Sequence, residues 1–157
     1  LATETTIASD AYQKIIRSRL DNPVINARAC SLLVALAEEG MVANAIARET
    51  FKYYLADIVD EDTILLGCTH FPVFKPLLYD MLPKKIKIVD SALATADALY
   101  DLLGQENLLL AAENPAKSTK YLVTDSVARF KKVGQIFIND DLQDADVELI
   151  DALKANN

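Results

Sequence analysis

The reading of this chain turns on Thr63-Ile64-Leu65-Leu66-Gly67-Cys68-Thr69-His70-Phe71-Pro72. The first four residues are apolar or β-branched, with acidic Asp60-Glu61-Asp62 before them and a glycine after, the pattern of a short strand buried on both faces. Pro72 suits the first turn of a helix, whose leading N–H groups have no intrahelical partner anyway. Strand followed directly by helix puts Cys68, Thr69 and His70 at the carboxyl end of the strand, where open α/β sheets bind ligands. The helix start would add free N–H groups and a positive dipole end, which favour a thiolate. Gly67 lets backbone or ligand approach closely. Position alone leaves Cys68 equally readable as an inert small hydrophobe. His70, the single histidine, could tune that thiol or merely cap the helix start; its position supports both readings.

Outward from this stretch, short β-branched runs alternate with longer amphipathic ones, which predicts a parallel sheet covered by helices. Upstream, Thr6 or Ser9 caps a helix to about Leu20, stopped by Asn22-Pro23. Val24-Ile25-Asn26-Ala27 reads as a strand, Ser31 caps a helix ending at Gly40, and a further helix spans about 42–59. Downstream, 86–89 reads as a strand and Asp90-Ser91 as the cap of a helix to about Leu103, closed by Gly104. Residues 105–118, with Pro115 and little pattern, read as a linker. A strand at 120–123, a helix from Ser126 to about Ile138 and a strand at 147–150 complete the chain.

Composition narrows the functions. The 157 residues are 52% hydrophobic and 25% charged, as in ordinary folded chains, and the net charge of −7 lacks the basic footprint of nucleic-acid binding. No apolar run reaches the roughly 20 residues that span a bilayer, and no leader pattern opens the chain. Two cysteines, Cys30 and Cys68, suit free thiols in a reducing cytoplasm. Cys30 reads as buried filler and Glu39, beside Gly40, as a solvated helix end. A zinc site would need Cys68, His70 and distant Cys30 without a C-x-x-C pair or a second histidine, so no metal is expected. A Cys/His hydrolase needs a facing base from another segment, and none is present.

At this point the residues resemble a family. Leu65-Leu66-Gly67-Cys68-Thr69-His70-Phe71-Pro72 resembles the second active-site signature of glutamate racemases, and this match is highly specific. Four supporting stretches agree in order. Residues 2–12 resemble the family's Gly-Thr-x-x-Thr-x-x-Ser-x-x-Tyr segment, and 29–40 its Ala-Cys-Pro-Leu-Phe-Val-Pro-Leu-Val-Glu-Glu-Gly. Val89-Asp90-Ser91 with Thr95-Ala96 resembles its Ile-Asp-Ser-Gly-Ala-x-Thr-Ala, and 121–125 resembles a strand near its C-terminus. Ser31 and Ala35 stand where prolines are usual, Ala2 and Ala92 where glycines are usual. The family's Asp-Ser-Gly and Cys-Asn-Thr motifs, carried by a first lobe, do not occur here, and no initiator Met opens the chain. The resemblance therefore implies that about the first two-fifths of the enzyme is absent.

What the resemblance implies is an α/β, doubly wound parallel sheet with flanking helices: the second lobe of a two-lobe racemase over 1–90, and a segment over 91–157 that completes the first lobe. It implies cofactor-independent interconversion of L- and D-glutamate for peptidoglycan by two opposed cysteines. Cys68 is then the second-lobe base, acting on the L-enantiomer, with His70 its helper and Glu38 the neighbouring carboxylate. Thr69 and His70, with Thr3 and Thr6, would line the substrate site. Neither metal nor cofactor is implied, the small-molecule partner is glutamate, and self-association, a homodimer in its simplest form, is expected of an exposed apolar face. The isolated chain is expected to be inactive. Two alternatives are an aspartate racemase of the same superfamily and a non-catalytic anion-binding α/β module.

Overall fold

A computed structural model describes residues 1–58, 60–109, 119–138, 142–143 and 146–151. The described chain forms two compact units, 1–97 and 98–157, divided inside one helix. In the first unit the helices are α1 (Glu4–Ser9), α2 (Ala11–Arg19), α3 (Leu32–Glu38), α4 (Ala45–Tyr54) and α5 (Lys75–Met81), the strands β1 (Thr63–Leu66) and β2 (Lys87–Asp90). Helix α6 (Ser91–Gln105) runs across the division. The second unit holds β3 (Tyr121–Val123), α7 (Val127–Ile138) and β4 (Val147–Leu149).

The first unit is built on a parallel sheet. β1 pairs with β2 from Thr63↔Lys87 to Leu66↔Asp90. On the other edge of β1, the Leu1 nitrogen donates to Leu65 O at 2.8 Å and Gly67 N–H donates to Leu1 O at 2.8 Å. Ala2 in turn bridges Ala29 in parallel, with Ala2 N–H on Arg28 O and Cys30 N–H on Ala2 O. The order across the sheet is therefore residues 28–30, Leu1 with Ala2, β1, β2. Ile64 and Leu66 are buried on one face, where Phe51, Phe71, Phe74, Leu33 and Leu78 form the core. Phe51 meets Phe74 edge-on, centroids 5.3 Å apart, the arrangement that ring quadrupoles favour.

The strand at 63–66 forms as the sequence predicts; several other expectations are corrected. The first helix is broken in two at Asp10, whose φ of 56° is left-handed, a conformation Asp tolerates better than most residues. Residues 24–27 form no regular strand, and Val24 is 90% exposed; the hydrogen bonds to Ala2 involve only Arg28 O and Cys30 N–H. Ser31 does not cap α3 with its side chain, and its hydroxyl accepts from Glu4 N–H instead. Gly40 ends the α3 segment at φ 72°. The helix expected over 42–59 is shorter, starting where the Asn44 side chain accepts from Ala47 N–H at 3.0 Å and ending at Tyr54, and Val59 lies outside the described residues. Gly104 lies within α6, and the turn that follows uses Asn107 at φ 56°.

In the second unit β3 and β4 are parallel, Tyr121↔Val147 to Val123↔Leu149, with α7 between them in sequence. Gly134 of α7 admits the Leu142 side chain, since a Cβ there would stand 3.0 Å from Leu142 Cδ1. Residues 110–118 of the predicted linker lie outside the described residues.

Candidate active site

The carboxyl end of the first unit's sheet collects the residues that could do chemistry. Leu1 lies opposite Leu66 in the ladder, so Thr3 and Cys68 leave the sheet at the same level, with Asp90 ending β2 beside them. Gly67 permits a close approach there: a Cβ would come 2.9 Å from Tyr12 Cε2, nearer than such carbons stand, and 3.2 Å from Ala2 Cβ, tighter than most such contacts. A side chain at this position would force Tyr12 to shift.

Cys68 is half-buried, and its Sγ stands 3.9 Å from His70 Nδ1. The other ring nitrogen, Nε2, is 3.2 Å from Glu38 Oε1. Glu38 is the last residue of α3, so the carboxylate reaches the histidine from 32 residues away. Both side chains are 29% exposed. With the proton on Nε2 and donated to Glu38, the Nδ1 lone pair faces the thiol, the orientation a proton acceptor needs. Thr69 is exposed, while Thr3 and Thr6 are half-buried and share a hydrogen bond between their hydroxyls at 3.0 Å.

One expectation about electrostatics is corrected. The helix after His70 is not a long α-helix but a single 3₁₀ turn, Phe71–Phe74, followed by the seven-residue α5. Pro72 and Pro76 occupy early positions of these two elements and supply no N–H. The dipole near Cys68 is therefore that of one turn, and His70 is the nearer influence on the thiol.

Cys30 differs from Cys68 in its exposure. It is 0% exposed, burial pushes its thiol up to about 11, and its Sγ rests 3.5 Å from Arg28 O. Sequence reasoning did not anticipate Lys75, which forms an ion pair with Asp90, whose side chain is only 3% exposed. Asp90 also accepts from Ala92 N–H at 2.8 Å, capping α6. The lysine's hydrogen bond holds the Asp90 carboxyl below its ordinary value, against the opposing effect of burial. The aspartate was legible as a cap, but its partner sits on another element, beyond any local spacing. Among the described residues no cluster of three or more His, Cys, Asp and Glu could hold a metal, and no described helix is long and apolar enough to cross a membrane.

No family model matches the chain. It is 39% identical over 140 residues to the glutamate racemase of Syntrophus aciditrophicus, covering 88% of this chain and 52% of that protein. It is 37% identical over 153 residues to that of Chlorobium phaeobacteroides, covering 96% of this chain and 55% of the relative. The structure is similar to that of glutamate racemase from Francisella tularensis in complex with D-glutamate, with TM-score 0.79, 31% identity and coverage of 93% of this chain and 54% of that one. A glutamate racemase isoform from Bacillus anthracis gives TM-score 0.81 at 25% identity, covering 96% and 56%. The chain thus spans about half the length of the curated relatives it matches.

Proposed function

We propose that this chain carries one half of the active site of a cofactor-independent glutamate racemase, with Cys68 as one of its two bases. The observation that carries the reading is the line Cys68, His70, Glu38 at the carboxyl end of β1, in a chain similar to glutamate racemases over nearly its whole length. Racemisation needs a proton removed from one face of the α-carbon and another delivered to the opposite face. Cys68, as thiolate, takes the α-proton of L-glutamate while the C–H electron pair stays on carbon and spreads into the adjacent carboxyl group. A second thiol on the far side gives its proton to that carbon and becomes thiolate, so charge and proton count balance. His70 receives the Cys68 proton beforehand through Nδ1, and Glu38 steadies the resulting imidazolium. Thr69, Thr3 and Thr6 offer hydroxyls to the substrate's polar ends.

On this reading residues 1–90 are the second catalytic lobe, residues 91–157 complete the first, the opposed base comes from outside the chain, and the product serves peptidoglycan synthesis in the cytoplasm. Helix α6 buries none of its residues, and Leu93, Leu99 and Tyr100 are exposed along it, so self-association of the isolated chain is expected in sedimentation. The catalytic test measures solvent-deuterium incorporation at the α-carbon of each glutamate enantiomer. This chain alone should not racemise glutamate; fused behind the amino-terminal half of the Syntrophus aciditrophicus relative it should, and Cys68→Ser in the fusion should abolish turnover. Racemisation by the chain alone, or a fully active Cys68→Ser fusion, refutes the assignment.

A further inference from the structure

The turn that carries Cys68 and His70 is tied at both ends to one residue of the neighbouring strand. At its start, Leu66 lies in register with Asp90, the last residue of β2. At its end, Lys75, the first residue of α5, forms the ion pair with the Asp90 carboxylate. Residues 67–74 are thereby closed into a ring whose clasp is Asp90, by strand pairing on one side and by its side chain on the other. Within the ring, Phe71 N–H donates to Cys68 O at 3.1 Å, and Phe71 and Phe74 are fully buried, which seats the inner half of the turn in the core. The outer half has no such seat: Cys68 is half-buried and Thr69 is exposed.

The ion pair stands against two local preferences. A cation at the first position of a helix meets the positive end of the dipole. The Asp90 side chain is only 3% exposed, a depth at which a carboxylate is retained only with a partner. An ion pair taken out of water yields little net stability, because desolvation offsets most of the attraction. Its effect is on geometry, since the partners must stay in contact or leave a buried charge unpaired.

We propose that Lys75 is a positioning residue, whose bond to Asp90 closes the turn 67–74 and holds the Cys68 thiol against Nδ1 of His70. The proposal deepens the racemase reading and rests on it for the effect on turnover. With the clasp open, the Cys68–His70 contact at 3.9 Å and the His70–Glu38 bond at 3.2 Å are left to the packing of Phe71 and Phe74, which fixes the inner half of the turn and not the outer. A misplacement of about 1 Å at a reacting group costs about 100-fold in rate. Lys75 acts through the turn and not on the substrate.

His70 is the chain's single histidine, so its two ring nitrogens are assigned without ambiguity in the 15N-labelled full chain, and their shifts report which one carries the proton. In the parent the proton on Nε2 should dominate. Lys75→Met should mix the tautomers and change the iodoacetamide rate of Cys68 at fixed pH at least about threefold. Lys75→Arg, which keeps the charge and the donors, should restore most of both readings. Lys75→Met combined with Asp90→Asn leaves no unpaired buried carboxylate; it should show the same two changes and serves if the single variant does not fold. Arg48→Met opens the ion pair to Asp80 of the same α5 and should alter neither reading. The proposal is overturned if the folded Lys75→Met and double variants match the parent, if Arg48→Met matches Lys75→Met, or if Lys75→Arg restores nothing. In the fusion described above, Lys75→Met should lower kcat about tenfold or more with KM within about twofold; unaltered kcat in an active fusion also overturns it. The ring shifts and thiol rates need no glutamate, so a fusion that never racemises, with those changes present, refutes the racemase reading and leaves the clasp standing.

Discussion

Replacing Gly67 by alanine tests the packing that presents Cys68. The added methyl would sit 2.9 Å from Tyr12 Cε2, 3.3 Å from Tyr12 Cδ2 and 3.2 Å from Ala2 Cβ. The tyrosine ring is half-buried and can tilt outward, but Ala2 cannot retreat without straining its hydrogen bonds to Arg28 and Cys30. Overpacking of this kind costs about 1–3 kcal/mol. Against it stands a gain of about 0.4–1 kcal/mol from a less flexible unfolded chain. The net expectation is a loss of about 1–2 kcal/mol, read as a lower urea midpoint at unchanged slope by far-ultraviolet circular dichroism. Tyr12→Leu removes the nearer clash and leaves Ala2, so the double variant should recover about 0.5–1.5 kcal/mol relative to additivity. A Gly67→Ala chain as stable as the parent, or one that Tyr12→Leu does not relieve at all, would refute the close-approach argument.

The two thiols should separate cleanly under iodoacetamide: Cys68 alkylates first, while Cys30, buried and with its thiol pushed up to about 11, waits for local opening, as peptide mass spectrometry would record. Cys30→Ala should cost about 1–2 kcal/mol of stability through lost packing, read from the same urea curves. Phe51→Ala, which empties the fully buried site beside Phe74, should cost about 3–5 kcal/mol and broaden the transition. Asp90 has its folded-state carboxyl held below the ordinary 3.8 by Lys75, so its contribution is whole above that value and is lost as pH falls toward the folded-state value. Asp90→Asn should therefore cost stability at about pH 6 and progressively less toward about pH 3; an equal cost at both would contradict the ion pair.

Local chemistry made part of this architecture legible. The run Thr63–Leu66 reads as a strand because β-branched Thr63 and three apolar residues stand between acids and a glycine. The break at Asp10 was hidden because Ile7, Ala11 and Ile15 share a helical face whether or not the backbone turns between them. Residues 24–27 have the residues of a strand, but strand formation depends on cross-strand pairing, which composition does not reveal. At the site, Cys68 and His70 are two residues apart in sequence and were visible together. Glu38 entered through family resemblance, since no spacing rule joins residues 32 apart, and Lys75 was missed because only the packing of α5 against the end of β2 brings it to Asp90.

The central position of Leu1 and Ala2 has a consequence for synthesis. The hydrogen bond from Leu1 to Leu65 spans 64 residues, and ribosomes add about 5–20 residues each second, so Leu1 waits about 3–13 s for the strand beside it. During that interval two open edges travel with the nascent chain, and each is a template for the wrong partner. Closure against β1 is thus late and non-local, the order of events that slows folding most and leaves the growing polypeptide dependent on whatever shields its unpaired backbone.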